Sequence, residues 1–354
     1  MAVTARTLRL QQALSRELDK ILDAQQRALV SAWVDAWDEV APDLTAALLE
    51  MLVAGETVTR AQLLRSTRLR RALAVVADNV EQLAHDAGVR ITGDLRDVID
   101  RAGSAQASVI DSQLPPDTDL VAVDAWSRVD DRQIDAIVRR STEQITALTR
   151  ALPAAAYDVV RRELIRGVAA GSNPRETARR MITRAEKYGF NGGLNRALVI
   201  ARTETLDAHR DAARLGRMAH ADVLGGWTWM AKLDTRTCPS CWAQHGSVHP
   251  IDKTGPDDHQ QGRCTALPTT RSWADLGLDV AEPPSLLPSR EEAFEALTGE
   301  QQLQVLGPGR YTAYANGTFP MDDWSVVKST PGWRDSHVVA PVPQSGGRSS
   351  RSAA

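Results

Sequence analysis

All three cysteines of the chain fall between Cys238 and Cys264. The first two stand as Cys238-Pro239-Ser240-Cys241, and the third closes His259-Gln260-Gln261-Gly262-Arg263-Cys264. A Cys-x2-Cys pair brings two thiolates from one tight turn to the same ion, and a second pair from a distant strand or loop completes a tetrahedron for Zn²⁺. Such a clip ties together a segment otherwise poor in core-forming residues. Cys238, Cys241, His259 and Cys264 are the expected ligands of a structural zinc, with His245 and His249 as alternatives for the histidine.

An odd number of cysteines argues against a disulfide framework, and reduced thiolates agree with both a cytoplasmic setting and a metal site. No apolar run approaches the ~20 residues that a membrane span requires. Net charge is −3, from 42 basic and 45 acidic residues interleaved along the chain. That balance does not describe a dedicated nucleic-acid binder, so any DNA contact must be local. The densest basic patches are Arg60, Arg65, Arg68, Arg70 and Arg71, and a second run from Arg161 to Arg184. Solvated helix faces are the plainer explanation of both.

Apolar residues recur at three- and four-residue steps from Leu10 through Leu52, the period of a helix. Ala41-Pro42-Asp43 is expected to break this first helix, because proline lacks a donor and restricts the residue before it. Further helical stretches are expected over 60–85 and 92–113, with Leu114-Pro115-Pro116 as a stop, and from Val121 to about Gly167. Asn173-Pro174-x-Glu176 reads as a capped helix start. Gly189, Gly192 and Gly193 are expected to form a loop before a long helix that runs to about Ala221 and carries Arg202-Thr203-Glu204, read as packing the helix end on the zinc module.

After Gly225-Gly226 the pattern alternates in Trp227-Thr228-Trp229, as in a strand. Four of the nine tryptophans lie between Trp227 and Trp273, which marks a small separate module. The rest is loop-rich, with short helices at Arg290–Leu297, capped by Ser289, and at Gln301–Leu306. The Gly-, Ser- and Arg-rich tail reads as disordered. The fold class is therefore mainly α: a long helical N-terminal region, then a small α+β zinc-clipped module and an irregular C-terminal segment. The expected division is 1–116, 117–224, 225–270, 271–340 and 341–354.

A three-thiolate shell argues for a closed, structural zinc site rather than a catalytic one. The zinc-deaminase pattern is excluded, because no His-x-Glu precedes the cysteine pair. The chain has no Gly-x-Ser-x-Gly elbow, Walker lysine or His-Glu-x-x-His. Ser240 and Ser247 near His245 and His249 are the remaining candidates for a nucleophile and base, and proximity in sequence does not make a triad.

The order Ala201-Arg202-Thr203-Glu204, Gly226-Trp227-Thr228-Trp229, Asp234-Thr235-Arg236-Thr237-Cys238, Gly246 and His259-x3-Arg263-Cys264-x3-Pro268 resembles the phage Mu protein F-like minor head proteins. The likeness covers about 173–268, and Gln301-Gln302 with Leu306-Gly307 extends it. That family commonly ends its module on His-Pro-Asn-Cys-Arg-Cys, whereas here one of the two terminal cysteines is absent, which leaves Cys264 as the ligand. The resemblance implies a minor structural protein of a tailed-phage head, in the virion at the capsid interior or portal vertex, and in the host cytoplasm during assembly. It implies association with the portal protein, with capsid or scaffold protein and packaged DNA as further partners, and a role in head morphogenesis or DNA delivery. It does not establish an enzymatic activity. A head-maturation protease or another metal-dependent hydrolase is the alternative.

Overall fold

The computed structural model describes residues 2–342 except 54–61, 63–64, 117, 119, 122–124, 151, 168–173, 330 and 332–333. The expected junction at Gly55–Thr59, the cap at Asn173 and the tail beyond 342 lie outside the described residues. What is described is mainly helical, with a small sheet region and an irregular C-terminal part. By proximity the chain forms two compact units. One comprises Met1–Arg16, Ile99–Ile134 and His209–Ala354, the other Glu17–Val98 and Asp135–Ala208.

Helix α1 runs over Ala5–Val53 with Pro42 inside it. The expected break does not form, because the apolar stripe continues across the proline: Trp37, Val40, Leu44 and Leu48 are all buried. Burying Leu44 and Leu48 alone contributes about 3–6 kcal/mol, against the roughly 3 kcal/mol that an interior proline costs. Helix α2, Thr67–Asp111, likewise runs through the expected gap near Gly88. Val76, Val80, Leu83, Ala87, Ile91, Leu95 and Val98 make one buried stripe at helical spacing, so no local signal there outweighs burial.

The second unit also holds most of α3 (Asp131–Arg150), α4 (Leu152–Gly167), α5 (Pro174–Arg184) and the first part of α6 (Asn191–Met218). A six-residue π-helix, Ala185–Phe190, joins α5 to α6 where a glycine loop was expected. Gly189 serves close approach there: a Cβ on it would stand 2.4 Å from Val160 Cγ2 and 2.8 Å from the Val160 backbone nitrogen. The π-turn places Phe190 against Trp37, with ring centroids 5.0 Å apart, and Trp33 donates its indole N–H to the Phe190 carbonyl at 3.3 Å. Leu18, Leu22, Val98 and Leu206 form a further core of this unit.

The first unit is built on a three-stranded antiparallel sheet with β1 (Leu224–Met230) in the centre, β2 (Val248–His249) on one side and β3 (Thr265–Thr270) on the other. Trp227 pairs with His249 and with Pro268 in register. Gly226 is required at the first of these crossings, since a Cβ would lie 2.4 Å from the His249 carbonyl oxygen. Between β1 and β2 lies the short helix α7, Pro239–Gln244. Residues 2 and 3 are buried in this unit. Val3 packs with Val109 and Leu267, and its carbonyl accepts from Leu286 N at 2.8 Å.

The C-terminal part carries α8 (Arg290–Glu295, capped by Ser289), α9 (Gly299–Leu306), α10 (Pro308–Ala315) and the hairpin β4 (Ser325–Lys328) to β5 (Ser336–Val339). Thr298 and Gln301 form a reciprocal capping box on α9. These elements enclose an aromatic core of Phe294, Phe319 and Trp324, which Trp242 of α7 enters edge-on to Phe294 at 5.3 Å.

Candidate metal centre

The cysteine turn is built by helix capping. Cys238 is the N-cap of α7, its sulfur accepting from Cys241 N at 3.4 Å, and Pro239 occupies the first helical position, where a missing N–H costs nothing. Both thiols therefore emerge at the same end of α7. The preceding loop is held by Asp234, which accepts from Arg236 N and from the Thr237 hydroxyl. Arg263 clamps the same carboxylate with two bonds, of 2.8 and 2.6 Å, and so ties the Cys238 turn to the segment entering β3 at Cys264. The Arg263 guanidinium holds the Asp234 carboxyl well below the usual carboxylate range.

Two overlapping groups of potential ligands result. The ligand atoms of Cys238, Cys241 and His259 lie within 4.8 Å of one another, and so do those of Cys241, Asp258 and Cys264. Cys241 belongs to both. His259 places Nδ1 2.8 Å from the Gln260 carbonyl oxygen, which can only accept, so Nδ1 carries the proton and Nε2 is left for an ion. Thiolates and a neutral imidazole are the donors that zinc takes, so the residues present fit that metal. A cavity of about 310 Å³ opens at this cluster, rimmed by Lys232, Arg236 and Gln260.

Electrostatics match a site in which protons stand where an ion can bind. A hydrogen bond from Cys241 lowers the Cys238 thiol to about 4, against burial and with help from His259. The same bonding, to Cys238 and to Cys264, pushes the Cys241 thiol up. The bond to Cys238 raises His259 to about 9. A metal ion must displace these protons, so affinity depends on pH.

The two alternative histidines are committed elsewhere. His245 Nδ1 accepts from Ala231 N at 3.0 Å, and Nε2 lies 3.1 Å from the Pro288 carbonyl, to which it donates. His249 stacks on Trp227 with centroids 4.3 Å apart. Within α6, Arg202 pairs with Asp19 at 3.6 Å, and the residue that reaches the cysteine cluster is Arg210, bound to Asp258 at 2.7 Å. Reading the sequence singled out neither Arg210 nor Asp258. Asp258 carried one usable signal, its position directly before a candidate ligand; Arg210 carried none.

The chain is thus a mainly helical protein whose small sheet region carries a cluster of cysteine, histidine and aspartate side chains that could hold a metal ion. Residues 158–267, which include all four expected ligands and Arg210, match the family described as Phage Mu protein F like protein, which supports a MuF-like phage protein over that stretch. No curated protein and no solved structure matches the chain.

Proposed function

We propose that this protein is a minor structural protein of a tailed-phage head, associated with the portal and acting in head morphogenesis or DNA delivery. The family match over 158–267 carries this reading. Zinc, held by Cys238, Cys241, His259 and Cys264, has a structural part: it clips the Cys238 turn to the segment that enters β3 within the module 225–270. The donor set supports zinc, and three thiolates leave little Lewis acidity for chemistry. The helical stretches before it, 1–116 and 117–224, supply the docking surface for the portal and for capsid or scaffold protein; 271–340 follows as a further segment, and 341–354 as a tail. Packaged DNA is a further partner through exposed arginines such as Arg65, Arg70 and Arg71. Among the described residues no helix is long and apolar enough to cross a membrane. In the mature particle the protein lies at the capsid interior or portal vertex.

The protease alternative rests on one contact, Ser247 Oγ to His249 Nε2 at 3.0 Å. Its chemistry is unfavourable. Ser247 donates its hydroxyl proton to the Gln244 carbonyl at 2.7 Å, and His249 Nδ1 faces the Lys253 ammonium at 3.4 Å, where a triad needs a carboxylate. The decisive experiment measures metal content and co-purification with the cognate portal protein. One zinc per chain with portal binding is expected. Neither metal nor portal binding, together with capsid-protein cleavage that is lost on Ser247→Ala, would replace this reading with the hydrolase one.

A further inference from the structure

Asp258 is fully buried, directly precedes His259, and is held by two guanidiniums from distant parts of the chain. Its Oδ2 accepts from Cys264 N at 3.2 Å, and its Oδ1 pairs with Arg210 Nη2 at 2.7 Å and with Arg334 Nη2 at 3.4 Å. The geometry points to Asp258 as the positioning residue of the metal centre: it fixes the backbone of Cys264 so that this thiolate faces the ion, and does so without becoming a ligand. This inference rests on the zinc reading above.

Three observations carry it. First, both carboxylate oxygens already have partners. These bonds hold the carboxylate on the Cys264 amide and on Arg210, and turning it away toward the ion would leave a buried donor and a buried guanidinium unpaired, which is costly. Second, Arg210 does more than balance charge. Its Nη2 also lies 3.5 Å from the Gly262 carbonyl oxygen and 3.3 Å from that of Cys264, so one guanidinium spans the loop on both sides of Arg263. Third, the loop makes room for the carboxylate. A Cβ on Gly262 would stand 1.9 Å from Asp258 Oδ2, so only glycine lets the side chain lie across the turn.

The arrangement extends past the stretch that matches the family. Arg334 Nη1 donates to the Asp258 carbonyl at 2.9 Å, and His337 N donates to the Asp257 carbonyl at 2.7 Å. The C-terminal hairpin is thereby fastened to the residue that aims Cys264. Outer carboxylates of this kind typically tune metal affinity by 10–100-fold.

The test uses the full-length protein and two variants, Asp258→Asn and Gly262→Ala, with zinc affinity from competition against a chromogenic chelator and cobalt(II) absorption as the report on thiolate ligation. Both variants are expected to bind zinc about 10–100-fold more weakly than the parent. Their thiolate-to-cobalt absorption is expected to fall by about a third, as one of three thiolates leaves the shell, with the far-ultraviolet circular dichroism unchanged. Equal zinc affinity and an unchanged cobalt spectrum in Asp258→Asn would overturn the positioning role alone. Full thiolate absorption with shifted ligand-field bands would overturn it too, by marking Asp258 as a direct ligand. If Asp258→Asn does not fold, Gly262→Ala decides by the same readouts, because it keeps the carboxylate and both guanidiniums. A parent protein that takes up neither metal would overturn the zinc reading and this inference together.

Discussion

His245 and His259 lie within one module and differ in what their second nitrogen does. His245 spends both nitrogens on backbone groups, at Ala231 and Pro288, whereas His259 spends one on Gln260 and keeps the other toward Cys238. His259→Ala is therefore expected to lower zinc content, measured by elemental analysis. His245→Ala should leave it at the parent level while melting lower, by about 1–3 kcal/mol, for the unpaired amide of Ala231. His209 supplies a pH dependence. Burial, and then Arg210 and Arg217, lower it from 6.5 to about 4. The unfolded chain binds the extra proton between those values, so the stabilisation is complete above pH 6.5 and lost as pH falls toward 4, about 3 kcal/mol in all. Denaturant titrations at pH 7 and pH 4.5 should show that loss shrinking in His209→Gln. At this scale the clustering of Cys238, Cys241 and Cys264 was legible in the spacing of the sequence. The choice among three histidines was not, since it depends on which carbonyl faces each ring.

At the scale of elements, amphipathic stripes were readable and punctuation was not. The stop at Leu114-Pro115, the Ser289 cap and the strand at Trp227–Trp229 all stand where local chemistry puts them. Pro42 failed as a breaker, and the expected gap between 85 and 92 did not open, because a residue's own propensity, about 1–3 kcal/mol, competes with several buried side chains on either side of it. Gly189 misled for another reason: its lack of a side chain serves contact with Val160 rather than a turn. Gly189→Ala is expected to destabilise the helical unit by about 1–3 kcal/mol, because the added methyl meets backbone as well as a side chain. A melting curve followed at 222 nm checks it, and an unchanged midpoint would remove close packing as the reason for that glycine.

At the scale of the molecule, α7 joins two cores. Cys241 faces Cys238, His259 and Cys264 while its neighbour Trp242 enters the aromatic core with Phe294. Cys241→Ser is therefore expected to open the segment 227–268 to limited proteolysis and to expose sites in 289–342 as well, with fragments from the N-terminal helices surviving. Mass spectrometry of the digest distinguishes this from a loss confined to the module. No spacing in the sequence announced such sharing, because it joins residues 242 and 294 through a helix only six residues long. The seat of Val3 has a similar reach, since its carbonyl waits for the amide of Leu286 and its side chain for Leu267. At about 5–20 residues per second, the ribosome delivers those partners roughly 15–60 seconds after Val3 itself. During synthesis the start of the first helix is thus left without its final neighbours until most of the chain has been made, and a chain released early, short of residue 286, lacks the strand of backbone that closes over it.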